Sequence, residues 1–239
     1  MPRPAAGRRP AAKPRREATS QGLALVRELE LFRLGFRAVV GVDEVGRGPL
    51  AGPVTAAAVI LDPDDVPEGL ADSKALPAEA RHEACSAILL RAQAVGIGFA
   101  TPDEIDALNI RQATFLAMRR ALASLAVVPD YVLVDGHDLP SLPVPTLPRE
   151  AIVKGDATCA SIAAASIVAK VARDRLMVRH HGHDPRYGFH NHKGYATAEH
   201  RDALKRHGPS PFHRRSFAPC GSGQEEMFGT GMEGEIGPG

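Results

Sequence analysis

Asp43 and Glu44 close an apolar run and lead straight into the turn Gly46-Arg47-Gly48. Adjacent acids at a strand edge can hold a cation or move a proton, while a glycine-flanked arginine brings backbone N–H groups and a guanidinium to the same point. That combination suits a cation and a phosphate side by side. Two further acids occupy comparable places: Asp135 ends the run Tyr131-Val132-Leu133-Val134 before Gly136, and Asp156 follows Ala151-Ile152-Val153. Alone, Asp135 reads as an Asp-Gly turn and Asp156 as a helix N-cap. Together they put carboxylates at three strand ends. The ends of neighbouring strands in one sheet converge, and four acids without matching bases repel one another unless divalent cations sit between them. Oxygen-rich sites of this kind favour Mg²⁺ or Mn²⁺.

The elements that must position these acids can be traced along the chain. Leu25, Leu29 and Phe32 have helical spacing, and Ala38 to Asp43 reads as a buried strand. A second apolar run, Val54 to Leu61, follows after too few residues for a parallel crossover, so the first two strands are expected to pair antiparallel. Pro77 to Gln93 reads as a helix, Ala94 to Ala100 as a strand, and Thr101-Pro102-Asp103-Glu104 opens a long helix ending near Leu125. Tyr131 to Asp135 and Ala151 to Val153 are further strands. Thr158 to His181 is the second long helix.

A chain of 239 residues with 44% hydrophobic content can build one sizeable domain. Residues 1–19 are expected to form a disordered basic arm, 20–219 the folded domain, and 220–239 a glycine-rich acidic tail. The net charge of +1 therefore hides segregated charge, including a basic and histidine-rich region from Arg173 to Arg215. The three cysteines support neither a disulfide framework nor a zinc site, and a reducing cytoplasm fits them best. No apolar run is long enough to cross a membrane.

Duller and competing readings bear on several motifs. Gly46, Gly48 and Gly52 approach a dinucleotide fingerprint, but no helix fits between the two strands that flank them, and no P-loop Gly-Lys-Ser/Thr follows. His180, His181 and His183 lie at a helix end, where solvated side chains complementing the dipole explain them better than zinc. From Phe189 to Tyr195 bases interleave with aromatics, as on a surface gripping a nucleic-acid backbone, although Tyr187 and Phe189 read equally well as anchors into the core. Cys159 and Ser166 read as close-packing positions.

The segments GVDEVGRGPLAGPV at 41–54, DSK at 72–74, LVDG at 133–136, VKGD at 153–156, AASIVAKVARDR at 164–175 and HKGYAT at 192–197 resemble, in order and spacing, the bacterial ribonuclease HII (type 2 ribonuclease H) family. The resemblance covers most of residues 38–219, and Val45 stands where the family often has alanine. It implies a ribonuclease H-like α/β fold, a mixed sheet flanked by helices, with Asp43, Glu44, Asp135 and Asp156 as catalytic and metal-binding carboxylates. It also implies hydrolysis of the RNA strand of RNA–DNA hybrids and cleavage at single ribonucleotides in duplex DNA, leaving 5′-phosphate and 3′-hydroxyl ends. Two divalent cations, Mg²⁺ or Mn²⁺, would support that hydrolysis. Gly46, Arg47, Gly48 and Tyr195 would recognise the ribose-to-deoxyribose junction, and Ser73, Lys74, Ser166 and Lys170 are candidates for phosphate or supporting contacts. The related HIII type has lysine in the Gly-Arg-Gly motif. The competing expectations are a structure-specific DNA nuclease on the same fold and a nucleic-acid-binding module without turnover. A monomer acting on nucleic acid in the cytoplasm is expected.

Overall fold

The computed structural model describes residues 25–71, 73, 74, 76–141 and 146–221. The basic arm, almost all of the acidic tail and Asp72 lie outside them. Helix α1 (Val26–Arg33) precedes strands β1 (Val39–Val45) and β2 (Val54–Ile60), then α2 (Ala78–Arg91) and β3 (Ala94–Ala100). Helices α3 (Pro102–Leu108) and α4 (Ile110–Ala123) lead to β4 (Tyr131–Asp135) and β5 (Arg149–Ile152). The chain then runs through α5 (Ala160–His183), α6 (Phe189–His192) and α7 (Ala198–His207).

The sheet order is β3-β2-β1-β4-β5. As expected, β1 and β2 are antiparallel, with Asp43 opposite Ala57. The β1–β4 and β4–β5 pairs are parallel. This is the expected mixed α/β sheet, with β1 at its centre.

Side chains alternate across the sheet. On one face Val40, Val42, Ala56 and Ala58 meet Ala113, Ala117, Met118 and Ala121 of α4. On the other, Ala57 and Val59 meet Ala160, Ala163, Ala164 and Ile167 of α5. Small residues let α5 press against the sheet at Gly41, where a Cβ would stand 2.2 Å from the Ser161 carbonyl carbon. Glycine is the only residue that this crossing admits. Asp43 shares the α5 face with Gly41, so the same close packing that excludes a side chain at 41 carries α5 past the acid two residues later.

Three sequence expectations change. The single helix to Leu125 is two, because Asn109 takes a left-handed φ of 69° and its side chain accepts the Gln112 N–H at 3.1 Å, capping α4. Cys220 is buried with Leu50, Met177, Tyr187 and Phe189, so the folded chain reaches past the expected boundary at 219. His180 and His181 are only partly solvated, their rings resting on Phe212 and His190 at centroid distances of 3.9 and 3.8 Å, while His183 is exposed as expected. Among the described residues no helix is long and apolar enough to cross a membrane.

Candidate active site

The β1–β4 register ends at Val42 opposite Val134, so Asp43 and Asp135 are the next residues of adjacent parallel strands. Parity puts both on the α5 face of the sheet and Glu44 on the other. The third strand end arrives by a different device. After β5 the chain makes a 3₁₀ turn at Gly155–Ala157, and Asp135 Oδ1 accepts the Gly155 N–H at 2.7 Å. That bond ties the turn carrying Asp156 to the end of β4. Asp156 is thus not the N-cap of α5, a place taken by Cys159.

The carboxylates are held at an electrostatic cost. Burial raises the Asp43 pKa well above the usual carboxylate range, and the charges of Glu44 and Asp135 push it further. The Ser166 hydroxyl and the Glu44 N–H, which donates to Oδ1 at 2.7 Å, oppose the rise. Burial also raises Glu44, against the nearby Arg47 guanidinium, whose Nη1 lies 3.4 Å from Oε1. Asp135 is raised by burial and by Asp156, and lowered by the Gly155 amide. Carboxylates crowded and desolvated in this way are relieved by an added cation.

These acids fit hard cations in a particular manner. Among the described residues no group of three His, Cys, Asp or Glu side chains forms a ready-made chelating cluster. Mg²⁺ seldom uses such a cage; it is held by one or two carboxylates and completes its shell with water and substrate phosphate. An all-oxygen set spread over three strand ends matches that mode.

The remaining predicted residues divide. Ser73 Oγ lies 2.9 Å from Ser166 Oγ, and Lys74 Nζ lies 3.7 Å from Asp156 Oδ2, so the 73–74 segment closes over the acids. Lys170 instead donates to Asp174 Oδ1 at 2.8 Å on its own helix. The turn beside Glu44 needs glycine at 46, where φ is +88° and a Cβ would stand 2.2 Å from Arg173 Nε; a Cβ at Gly48 would meet nothing within 4 Å. The Tyr195 side chain is 41% exposed, with the Arg173 guanidinium 5.9 Å from its ring centroid. Tyr187 and Phe189 are buried, so they anchor the loop, and Tyr195 is the aromatic left facing solvent.

Sequence reasoning did not single out Arg173, Arg214, His200 or His213. Arg173 and Arg214 are fully buried against backbone carbonyls of residues 46–53 and 193. Their signal in the sequence was only a basic stretch.

Comparison with known proteins agrees with this geometry. The family model described as Ribonuclease HII matches residues 40–220. The ribonuclease HII of Cereibacter sphaeroides is 57% identical over 192 residues, covering 80% of this chain and 89% of that protein. The crystal structure of the ribonuclease H2 from Pyrococcus horikoshii superposes with a TM-score of 0.64 at 26% identity, covering 77% of this chain and 95% of that one. Bst-RNase HIII in complex with Mn²⁺ shares the fold at 20% identity and a TM-score of 0.62, covering 80% of this chain and 70% of that one. Because the match spans all the strands, the four acids, the Gly46–Gly48 turn and Tyr195, the chain belongs to the ribonuclease HII family and is a ribonuclease H-type hydrolase acting on nucleic acid.

Proposed function

We propose that this chain cleaves the RNA strand of RNA–DNA hybrids and also cuts beside single ribonucleotides embedded in duplex DNA, with Asp43, Glu44, Asp135 and Asp156 holding two divalent cations, Mg²⁺ or Mn²⁺. The observation that carries the reading is the crowded, mutually repelling set of buried Asp43 and half-buried Glu44 and Asp135 next to a glycine-arginine-glycine turn. Bound cations would activate the attacking water and stabilise the leaving 3′ oxygen. The protein's own groups do the rest. Asp43 and Asp135 are fixed by the backbone amides of Glu44 and Gly155, so the donor oxygens keep one orientation. Ser166 holds Asp43 towards its ionised form. Lys74, on the exposed side of Asp156, lies where it can meet a phosphate.

Discrimination follows from what distinguishes the substrate. The 2′-hydroxyl alone separates a ribose from its DNA neighbours, so it must be read by close approach. The open space over Gly48 allows a sugar–phosphate backbone to reach the turn amides, and the exposed Tyr195 ring can stack on the deoxyribose that follows. We further propose a monomer working in the cytoplasm, in keeping with three free cysteines, all buried.

The test is one duplex carrying a single ribonucleotide and its all-DNA twin, each incubated with Mg²⁺, Mn²⁺ or EDTA. Cation-dependent cleavage of the first alone is expected. Cutting of both duplexes would indicate a structure-specific DNA nuclease, and binding without cutting a recognition module.

A further inference from the structure

Arg214 and Arg173 lie behind the turn with no exposed surface, and none of the ion pairs among the described residues includes either. Burying a cation without a carboxylate is costly, and here the compensation comes from backbone carbonyl dipoles. Arg214 donates Nε to the Gly52 carbonyl at 3.0 Å, Nη1 to the Arg47 carbonyl at 2.8 Å, and Nη2 to the Gly46 carbonyl. Arg173 donates to the carbonyls of Pro53, Ala51 and Lys193, each at 3.0 Å. In a planar trans peptide the N–H points opposite to the C=O. A guanidinium holding the carbonyls of Gly46 and Arg47 therefore turns the N–H groups of Arg47 and Gly48 away from itself. The amides that would meet an anion are aimed by Arg214.

The residue before Arg214 reaches the other half of the recognition surface. His213 Nδ1 accepts the Ser210 N–H at 3.0 Å and lies 2.8 Å from the Ser210 hydroxyl, so the ring proton sits on Nε2. That nitrogen is 2.9 Å from His200 Nε2, which must accept. The His200 proton is then on Nδ1, and it donates to the Tyr195 carbonyl at 2.9 Å. Backbone bonds brace the same junction: Gly52 N–H to the Phe212 carbonyl at 2.8 Å, Arg214 N–H to the Leu50 carbonyl at 2.9 Å, and Leu50 N–H to the Gly194 carbonyl at 2.8 Å.

We propose that Ser210–Arg214 is a positioning segment for substrate discrimination, in which Arg214 orients the Gly46–Gly48 turn and His213, through His200, sets the backbone of Tyr195. The span between turn and tyrosine is then fixed by two consecutive residues that touch no substrate. The inference rests on the reading that the turn and Tyr195 flank a ribose-to-deoxyribose step. Continuous hybrid, which offers few such steps, depends less on that span.

The experiment lets a single-ribonucleotide duplex and a continuous RNA–DNA hybrid compete for wild type, Arg214→Met, Arg214→Lys and Ser210→Ala. Both substrates draw on the same enzyme molecules, so the folded fraction cancels from the ratio of kcat/KM values. Displacing the turn amides by about 1 Å is expected to lower that ratio roughly ten- to a hundredfold in Arg214→Met. Arg214→Lys, which keeps the charge but not the planar fork, is expected to fall between it and wild type. Ser210→Ala, which leaves the Ser210 N–H in place, should show a smaller loss in the same direction. A role confined to stability would slow both substrates together, so an unchanged ratio in Arg214→Lys and Ser210→Ala, with wild type discriminating normally, overturns the proposal. Wild type that fails to cut the embedded ribonucleotide would instead remove the reading of the site itself.

Discussion

Ser166 Oγ lies 2.9 Å from Ser73 Oγ, and Ser166 favours the charged form of the buried Asp43 carboxylate. Each hydroxyl has a single proton, so donation from Ser73 to Ser166 leaves the Ser166 proton available to Asp43. The pair of hydroxyls links the 73–74 segment to the helix that passes the central acid of the sheet. Replacing Ser166 with alanine removes the hydroxyl that favours the charged form of Asp43. The variant is expected to need more Mg²⁺ for half-maximal activity and to show an alkaline shift in the acid limb of kcat/KM, with kcat lowered by roughly tenfold for a lost hydrogen bond to a charged group. A metal titration of activity at several pH values checks this; coincident curves for the two proteins would mean that the serine only fills space.

Gly48 offers a clean separation of folding from recognition. A Cβ there meets nothing within 4 Å, so Gly48→Ala should melt within a degree or two of wild type. If the substrate backbone comes close at this point, the added methyl should raise KM and lower kcat/KM by about 10²-fold, the scale of a 1 Å displacement. Full activity with unchanged stability would move the point of approach elsewhere on the turn.

Tyr195 tests the junction directly. Tyr195→Ala should cost more on a single embedded ribonucleotide than on continuous hybrid, since a stacked ring contributes ~1–3 kcal/mol where a deoxyribose follows the ribose. The ratio of kcat/KM on the two substrates measures it. A ratio equal to wild type would leave junction reading to Gly46, Arg47 and Gly48 alone.

Much of this site was legible in the sequence because its determinants are local. The short interval between Gly48 and Val54 dictated the antiparallel β1–β2 pair, and once the strands were placed, Asp43 and Asp135 had to emerge together. The break at Asn109 was not legible, because neither proline nor glycine marks it and the left-handed residue makes its own cap. The buried arginines were hidden for a different reason. A basic residue in a basic stretch reads as solvated, and what desolvates Arg214 is a set of carbonyls up to 168 positions away. Long-range compensation of that kind has no periodicity to betray it. Lys170 shows the converse: it belongs to a matching segment, yet its partner is Asp174 one turn along α5.

The histidines behind Tyr195 give the stability a pH signature. Burial pushes His213 down to about 4 and also lowers His192 and His200, so in the folded state these rings stay neutral where the unfolded chain takes up protons. Their contribution is complete above the unfolded value of about 6.5 and is lost as pH falls towards 4. The raised pKa values of Asp43, Glu44 and Asp135 act with the opposite sign over acidic pH, so the difference between two proteins is the informative quantity. Urea unfolding of wild type and His213→Asn between pH 4 and 8 should give stability curves that converge as the pH is lowered. Parallel curves would mean that His213 does not titrate in the linkage described.

The central claim is that the strand-end acids hold the catalytic cations and otherwise repel the substrate. The direct measurement pairs cleavage with binding for Asp43→Asn and Asp135→Asn on one single-ribonucleotide duplex, with circular dichroism as the control for folding. Each neutral amide keeps an oxygen for the backbone N–H that anchors it, so both variants should fold. The expected result is loss of cleavage in Mg²⁺ and in Mn²⁺, with binding in EDTA at least as tight as wild type because one negative charge has left the phosphate path. Near-normal turnover in either folded variant would contradict the assignment of these carboxylates to the metal site.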